Sequence, residues 1–224
     1  MKASLLQELA RLRAARTPCA VVTSLPDGEA ALVTDPATHP LGDEIAARLR
    51  SGKSGVVEVD GAEHFVRVHV PAARIVCIGA VHISQALWPM AQACGFDVTV
   101  CDPRTAFATP ERFEGVRLLA EWPQEVMGEL ALDPYTALAA LTHDPKIDDI
   151  PLAQALEAGC FYVGALGSRK THAKRAARLI ENGVTEESVG RIASPIGLDI
   201  GSANPAEIAV AILAEIIAAL RKGA

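Results

Sequence analysis

Glycines, a serine and two cations meet in the run Gly164-Ala165-Leu166-Gly167-Ser168-Arg169-Lys170. Small residues followed by a basic stretch mark a loop entering a helix, where backbone N–H groups point outward and the helix dipole favours negative charge. Basic side chains at a helix N-terminus are unfavourable without a partner, so Arg169, Lys170, Lys174, Arg175 and Arg178 point to an anionic ligand. The plainer alternative is a solvated charged face. His143 and Asp144 end an apolar run, a position that often carries function. The pair suits acid/base work or ligand contact, provided the strand has ended by His143, because neighbours on a strand face opposite ways. His82 sits in a turn, where it could bond a ligand, exchange a proton or cap the turn. Asp102 ends a further strand, the place from which an acid bonds a ribose hydroxyl, with Arg104 beside it. Asp199 lies in a glycine-flanked loop, facing a ligand or turning its own backbone. No Ser-His-Asp elbow, Walker lysine loop or zinc signature is present. The cysteines 19, 77, 94, 101 and 160 form no C-x-x-C pair and are odd in number, which argues against a disulfide framework or a zinc site.

The elements that must position these residues begin at residues 74–102, which read as strand, turn, helix and strand. Residues 74–78 are a short β-branched run of the kind buried on both faces of a parallel sheet. Ala86, Leu87, Met90, Ala91 and Cys94 then recur at helical spacing from Ser84 onward, and Gly95 closes the helix. Residues 98–101 form the next strand. The turn between strand and helix reads Gly79-Ala80-Val81-His82-Ile83-Ser84 against the G-x-G-x-x-G fingerprint of dinucleotide-binding folds. Only the first glycine is kept; Val81 puts a branched side chain where backbone would approach a pyrophosphate. Further strands are expected at 116–120, 136–142 and 160–164. The alanines of 136–142 favour helix, but its length and polar stop favour strand. Helices are expected at 150–158, 169–182, 185–191 and 205–221. The last has Asn204 as N-cap and Pro205 at its first position. Its apolar residues, from Ile208 to Leu220, suit either the sheet or a second protomer. An open parallel sheet binds ligands beyond its strand carboxyl ends. That rule gathers residues 79–84, 102–104, 142–144, 164–170 and 195–201 on one rim.

Upstream, residues 4–15 read as a helix with Leu5, Leu6, Leu9 and Leu12 on one face. Strands at 19–24 and 30–34, a helix at 41–50 and a hairpin turning at Asp60-Gly61 follow. The predicted architecture is α/β: a Rossmann-like parallel sheet with helices on both faces over residues 73–224, preceded by a small α+β domain over 1–72.

Half of the residues are hydrophobic and 21 % are charged, enough apolar material for a substantial core. A formal net charge of −6 and few aromatics exclude a general nucleic-acid binder. The amphipathic N-terminus has no signal-peptide core, and no apolar run reaches membrane-spanning length. A cytoplasmic protein is expected.

The segments GAVHISQAL, GFDVTVCDPR, LTHD, FYVGALGSRKTHAKRAARL and PIGLDIGSANPAEIAVAILAEI, in this order and spacing, closely resemble the xanthine dehydrogenase accessory (XdhC/CoxI) family over about residues 63–224. The resemblance implies a dimeric maturation factor for molybdenum hydroxylases such as xanthine or carbon monoxide dehydrogenase, acting as a chaperone without turnover. It implies binding of the molybdenum cofactor, its protection while a cysteine desulfurase supplies the terminal sulfur, and its delivery to the apo-enzyme. The cofactor is a pterin carrying a phosphate, sometimes extended by a nucleotide. The expected cofactor-binding residues are Gly79, Ala80, Val81, His82, Asp102, Arg104, His143, Asp144, Gly164, Gly167, Ser168, Arg169, Lys170 and Asp199, with the N-terminal domain as a cover. The chain departs from the family in two places. Val81 and Ser84 replace glycines of a GAGHVG turn, and no GGGC-x-E loop exists, residues 34–41 carrying Pro36, His39 and Pro40 instead. Two other readings stand beside the chaperone. One is a ligand-free interaction subunit of the same maturation system. The other is an NAD- or FAD-dependent oxidoreductase, which the degraded glycine turn argues against.

Overall fold

In the computed structural model, which describes residues 2–59 and 61–222, a first unit spans Met1–Pro71 and a second Ala72–Ala224. The first unit runs α1 (Ala3–Ala14), β1 (Cys19–Ser24), β2 (Ala30–Val33), a single 3₁₀ turn, α2 (Gly42–Ser51), β3 (Gly55–Val59) and β4 (Ala62–His69). Its sheet is antiparallel in the order β2-β1-β4-β3. Ala20, Val22, Val33, Val57 and Val66 from the strands enclose Ile45 of α2. The predicted stripe on α1 is only partly used: Leu12 is buried, while Leu6 is 48 % exposed. Of the expected Asp60-Gly61 turn, Asp60 lies outside the described residues; Val59 pairs with Ala62 across it.

The second unit runs β5 (Arg74–Ile78), α3 (His82–Ala93), β6 (Asp97–Cys101), β7 (Arg117–Leu119), α4 (Pro123–Leu130), β8 (Thr136–Ala140), α5 (Pro145–Glu157), β9 (Tyr162–Ala165), α6 (Arg169–Glu181), α7 (Glu186–Val189), β10 (Ile192–Ala193) and α8 (Pro205–Lys222). Its sheet is parallel throughout, in the order β10-β9-β8-β5-β6-β7. The chain steps outward through β6 and β7, then returns to the other side of β5. This is the doubly wound Rossmann order, with its switch point between β5 and β8. Side chains alternate through the sheet. Ile75 and Cys77 meet Leu87 and Ala91 of α3 and Ile212 and Ile216 of α8. Val76 and Ile78 join a second core with Val126 and Leu130 of α4, Leu152 and Leu156 of α5 and Leu179 of α6. Helices thus cover both faces, and the strands read as apolar runs because neither face meets water.

That enclosure decides the ambiguous stretch at 136–142. Every residue of β8 is buried, so its small side chains serve close packing beneath helices. The N-terminus of α3 comes two residues earlier than the periodicity indicated, because Ser84 is fully buried and its hydroxyl bonds back to the turn. The predicted helix at 185–191 shrinks to α7, with Thr185 accepting the Ser188 amide at 3.2 Å. The chain then adds β10, a two-residue strand too short to leave a sequence pattern. Helix α8 packs on the sheet and on α3, settling which surface its apolar stripe covers within this chain. Asn204 caps it as expected, accepting the Glu207 amide at 3.0 Å.

Glu215 of α8 holds the long loop that follows β10. Its carboxylate accepts the Gly197 amide at 2.8 Å and the Tyr162 hydroxyl of β9. Burial and the Glu215 carboxylate together raise the Tyr162 pKa, keeping the phenol protonated as donor. Removing the shared acceptor strands two donors, whereas removing one donor leaves the carboxylate a partner. In urea unfolding, Glu215→Ala is therefore expected to cost about 2–3 kcal/mol and Tyr162→Phe about 1 kcal/mol. Equal losses for the two variants would show that the shared acceptor does not hold the loop.

Candidate functional site

At the switch point, two loops leave neighbouring strands for opposite faces of the sheet. Gly79, after β5, takes φ +122, and a Cβ there would lie 2.9 Å from Thr142 Cγ2. Only glycine lets the two loops touch. The amides of residues 79–81 are spent inside the protein. The Gly79 N–H donates to the Cys101 carbonyl at 2.8 Å, Ala80 to Asp102 Oδ2 at 2.7 Å and Val81 to Ser84 Oγ at 3.0 Å. The Ser84 hydroxyl donates to the Gly79 carbonyl at 2.6 Å. His82, at the first position of α3, is exposed.

Asp102 is fully buried and accepts from Arg104 three times: from its amide at 2.9 Å, its Nε at 2.9 Å and its Nη2 at 2.7 Å. Burial alone pushes this carboxyl up. The Arg104 guanidinium and the Arg104 and Ala80 amides outweigh it and hold the pKa below the usual carboxylate range. The carboxylate read as a ribose partner is thus taken up by Arg104 and the turn. Arg104 also stacks over Phe107, 4.7 Å from the ring centroid, and lies within electrostatic reach of Asp144 and Asp148.

On the other side of the switch point, β8 ends at Ala140, so His143 and Asp144 are no longer bound by strand alternation. His143 takes φ +66. Its amide donates to Asp148 Oδ2 at 3.0 Å, and the Thr142 hydroxyl donates to Asp148 Oδ1 at 2.7 Å. Asp144 caps α5, accepting the Lys146 amide at 3.0 Å. Asp148 is 1 % exposed. Burial raises its pKa to about 6, against the lowering effects of the Thr142 hydroxyl, the Arg175 charge and nearby amides.

Across from Asp148, Arg175 of α6 is 2 % exposed. Its Nη2 donates to the Leu166 carbonyl at 2.9 Å, but its Nε and Nη1 are buried without a hydrogen-bond partner. Burial lowers the pKa of this guanidinium, while Asp148 and Asp149 pull it back up. A cavity of about 300 Å³ opens here, between the start of α5 and the first turns of α6; His143, Asp148, Lys170, Thr171, Lys174 and Arg175 are among its lining residues. Ser168 caps α6, accepting the Thr171 amide at 3.2 Å. Gly167 takes φ +134, and a Cβ there would press on Thr171 at 3.2 Å and approach His143 Nδ1 at 3.7 Å. Arg178 is committed to Asp149 through two bonds of 2.7 and 3.0 Å.

Most of the predicted residues therefore fall into two groups. His143, Asp144, Gly167, Ser168 and Lys170 gather at or beside the cavity. Gly79, Ala80, Val81, His82, Asp102 and Arg104 form the self-satisfied turn. Gly164 is a packing residue, since a Cβ there would meet Ile196 and the Tyr162 hydroxyl oxygen, each at 2.6 Å. Arg169 and Asp199 are exposed and do not line the cavity. Asp148 and Thr171 were not among the expected site residues. An aspartate in the first turn of a capped helix reads as a dipole partner, and nothing local shows that it is buried. Among the described residues no cluster of three or more histidine, cysteine or acidic side chains could hold a metal ion. Burial pushes the Cys77 and Cys101 thiols up to about 12, far from thiolate chemistry at neutral pH. Among the described residues no helix is long and apolar enough to cross a membrane.

The strand order and the carboxyl-end crevice define a Rossmann-type α/β protein. Residues 75–216 match the XdhC Rossmann domain family, and the chain belongs to that family. YqeB of Escherichia coli strain K12 is 33 % identical over 153 residues, covering 68 % of this chain and 28 % of YqeB. A probable xanthine dehydrogenase subunit of Bacillus subtilis strain 168 is 31 % identical over 154 residues, 68 % of this chain and 44 % of that protein. The molybdenum cofactor insertion chaperone PaoD of Escherichia coli strain K12 is 30 % identical over 146 residues, 65 % of this chain and 40 % of PaoD. The chain thus spans less than half the length of each of these relatives. The crystal structure of a xanthine dehydrogenase from Bacillus halodurans shares the fold, with a TM-score of 0.66 at 24 % identity, over 100 % of this chain and 66 % of that one.

The raised pKa of Asp148 predicts a pH signature of stability. Below the ordinary carboxyl range both folded and unfolded states hold the proton; between there and about pH 6 only the folded state does. Stability contributed by that proton is lost as pH rises through about 6. Relative to Asp148→Asn, which cannot titrate, the wild type is expected to lose about 1 kcal/mol between roughly pH 5 and pH 8. Denaturant unfolding of both proteins across that range checks it, and a stability difference that does not change with pH contradicts it.

Proposed function

We propose that this chain binds the molybdenum cofactor and serves as a maturation factor for a molybdenum hydroxylase, holding the cofactor during sulfuration and passing it to the apo-enzyme. Family membership and the relative named as a molybdenum cofactor insertion chaperone support this reading. A second relative, named as part of a probable xanthine dehydrogenase, points to the same class of client. The observation that carries it is the cation-lined cavity at the strand carboxyl ends, with its two orphaned Arg175 donors. A pterin phosphate is an anion with several acceptor oxygens, and buried guanidinium N–H groups without partners are what such a ligand satisfies. The residues present therefore fit the group. In this reading Arg175, Lys170 and Lys174 bind, His143 and Thr171 offer polar contacts to the rest of the ligand, and the chain itself performs no turnover. Its partners are the apo-hydroxylase and a cysteine desulfurase, and it works in the cytoplasm as a homodimer.

The sealed turn at 79–82 favours one alternative over another. With the amides of residues 79–81 occupied and Val81 in place of a glycine, it offers a dinucleotide little, which disfavours an NAD- or FAD-dependent oxidoreductase. The same feature suits a ligand-free interaction subunit.

Titration of the purified chain with molybdenum cofactor under oxygen exclusion, with NAD and FAD as controls, separates the readings. Binding of the cofactor at about micromolar Kd or tighter is expected, with neither control binding comparably. Binding of NAD or FAD alone would favour the oxidoreductase, and silence from all three the interaction subunit.

A further inference from the structure

We infer that the cavity between α5 and α6 is a phosphate site, that Arg175 supplies buried N–H donors to it, and that the turn at residues 79–82 takes no part in holding the phosphate. The inference rests on the proposed function only for the identity of the whole ligand; the site itself follows from the cavity.

Four cations line the cavity, Lys170, Lys174, Arg175 and Arg178, against two carboxylates, Asp148 and Asp149. Arg178 and Asp149 cancel in a two-bond pair. Asp148 is occupied by the Thr142 hydroxyl and the His143 amide, and no ion pair joins it to Arg175 among the described residues. What remains uncommitted among the described residues is Lys170, Lys174 and two donor nitrogens of Arg175, Nε and Nη1. Nη2, the nitrogen common to both forks of the guanidinium, is on the Leu166 carbonyl, so the idle Nε and Nη1 stand on different edges and offer separate N–H bonds to the oxygens of an anion.

The donors sit beside the N-terminus of α6, thirteen residues long, whose dipole adds to the attraction. They lie under the cavity lining, and reaching them requires an outward movement of side chains. Lys170, Thr171 and Lys174 have room for it at the surface. At about 300 Å³ the cavity stands at the small end of ligand pockets, suited to a phosphate or pyrophosphate group and not to an entire dinucleotide.

The turn at residues 79–82 offers the opposite. A phosphate there would compete with Asp102 for the Ala80 amide and with Ser84 for that of Val81. It would also approach a buried carboxylate. In this chain, then, the phosphate site lies in the half of the sheet beyond the switch point and not at the first strand–helix turn.

Isothermal titration of the full chain with inorganic phosphate and with pyrophosphate tests this. Binding is expected to weaken by about tenfold or more in Lys170→Ala with Lys174→Ala, and further in Arg175→Lys, while His82→Ala stays within about twofold of wild type. The two lysines lie at the surface, so the double variant remains informative even if Arg175→Lys fails to fold. Similar affinity for both anions assigns the site to a phosphomonoester; a clear preference for pyrophosphate assigns it to a nucleotide-extended ligand. Either supports the inference. No binding at about 10 mM anion, binding indifferent to the lysine pair, or binding lost in His82→Ala overturns it. Parallel titration with molybdenum cofactor keeps the two claims apart. Pyrophosphate binding without cofactor binding refutes the proposed function and leaves the phosphate site standing. Cofactor binding unaffected by the lysine and Arg175 changes does the reverse.

Discussion

Gly79 and Thr142 touch where β5 and β8 send the chain to opposite faces, and the rest of the second unit depends on that contact. A side chain at residue 79 would push the loops apart by overlapping Thr142 at 2.9 Å. With the loops in contact, Thr142 keeps its hydroxyl on Asp148, and Asp148 holds the His143 amide. On the other side, the turn folds back on Asp102, and Asp102 holds Arg104. One close approach thus sets two polar networks back to back across the end of the sheet. The first is left open, and the second is closed on itself.

The difference lies in how each network deals with buried charge. Asp102 is a buried carboxylate with a full set of donors, so its charge is favourable and its pKa stays low. Asp148 has a hydroxyl and an amide, and desolvation wins, raising its pKa to about 6. Arg175 is the complementary case, a buried cation with one of its donors satisfied and two idle. A buried pair left incomplete costs stability unless something completes it. The closed network ties the turn to the end of β6, and the open one keeps two buried nitrogens of Arg175 without a partner.

The motif segments that mark the family also have separate physical jobs. In LTHD, Thr142 holds Asp148 while His143 lines the cavity. In FYVGALGSRK, Gly164 makes room for Ile196, Gly167 lets the loop pass Thr171, and Ser168 caps α6. In PIGLDIG and the helix after it, Glu215 ties Gly197 and Tyr162 together, 18 and 53 residues away in sequence. The strand-end rule and the motif resemblance together placed Gly164 and Asp199 beside a ligand. Contact geometry makes the first a packing residue and leaves the second exposed and outside the cavity lining.

Local sequence determined much of this protein by itself. Apolar runs bounded by glycine and polar residues specified β5, β6, β8 and β9, because strands buried on both faces need no alternation. Asn204 announced its helix start, because a cap bonds amides two or three residues away. The rim residues were legible from strand ends, and the basic face of α6 from composition. Only the tertiary structure decided which of those cations are spent and which are idle. Arg178 and Arg175 are three residues apart on one helix, yet Asp149 on another helix bonds the first, while two donors of the second stay idle. Likewise, the burial of Asp148 and the occupation of the turn amides by Asp102 and Ser84 arise from groups brought together by folding. Desolvation and hydrogen-bond satisfaction are properties of three-dimensional neighbours, and a one-dimensional pattern does not carry them.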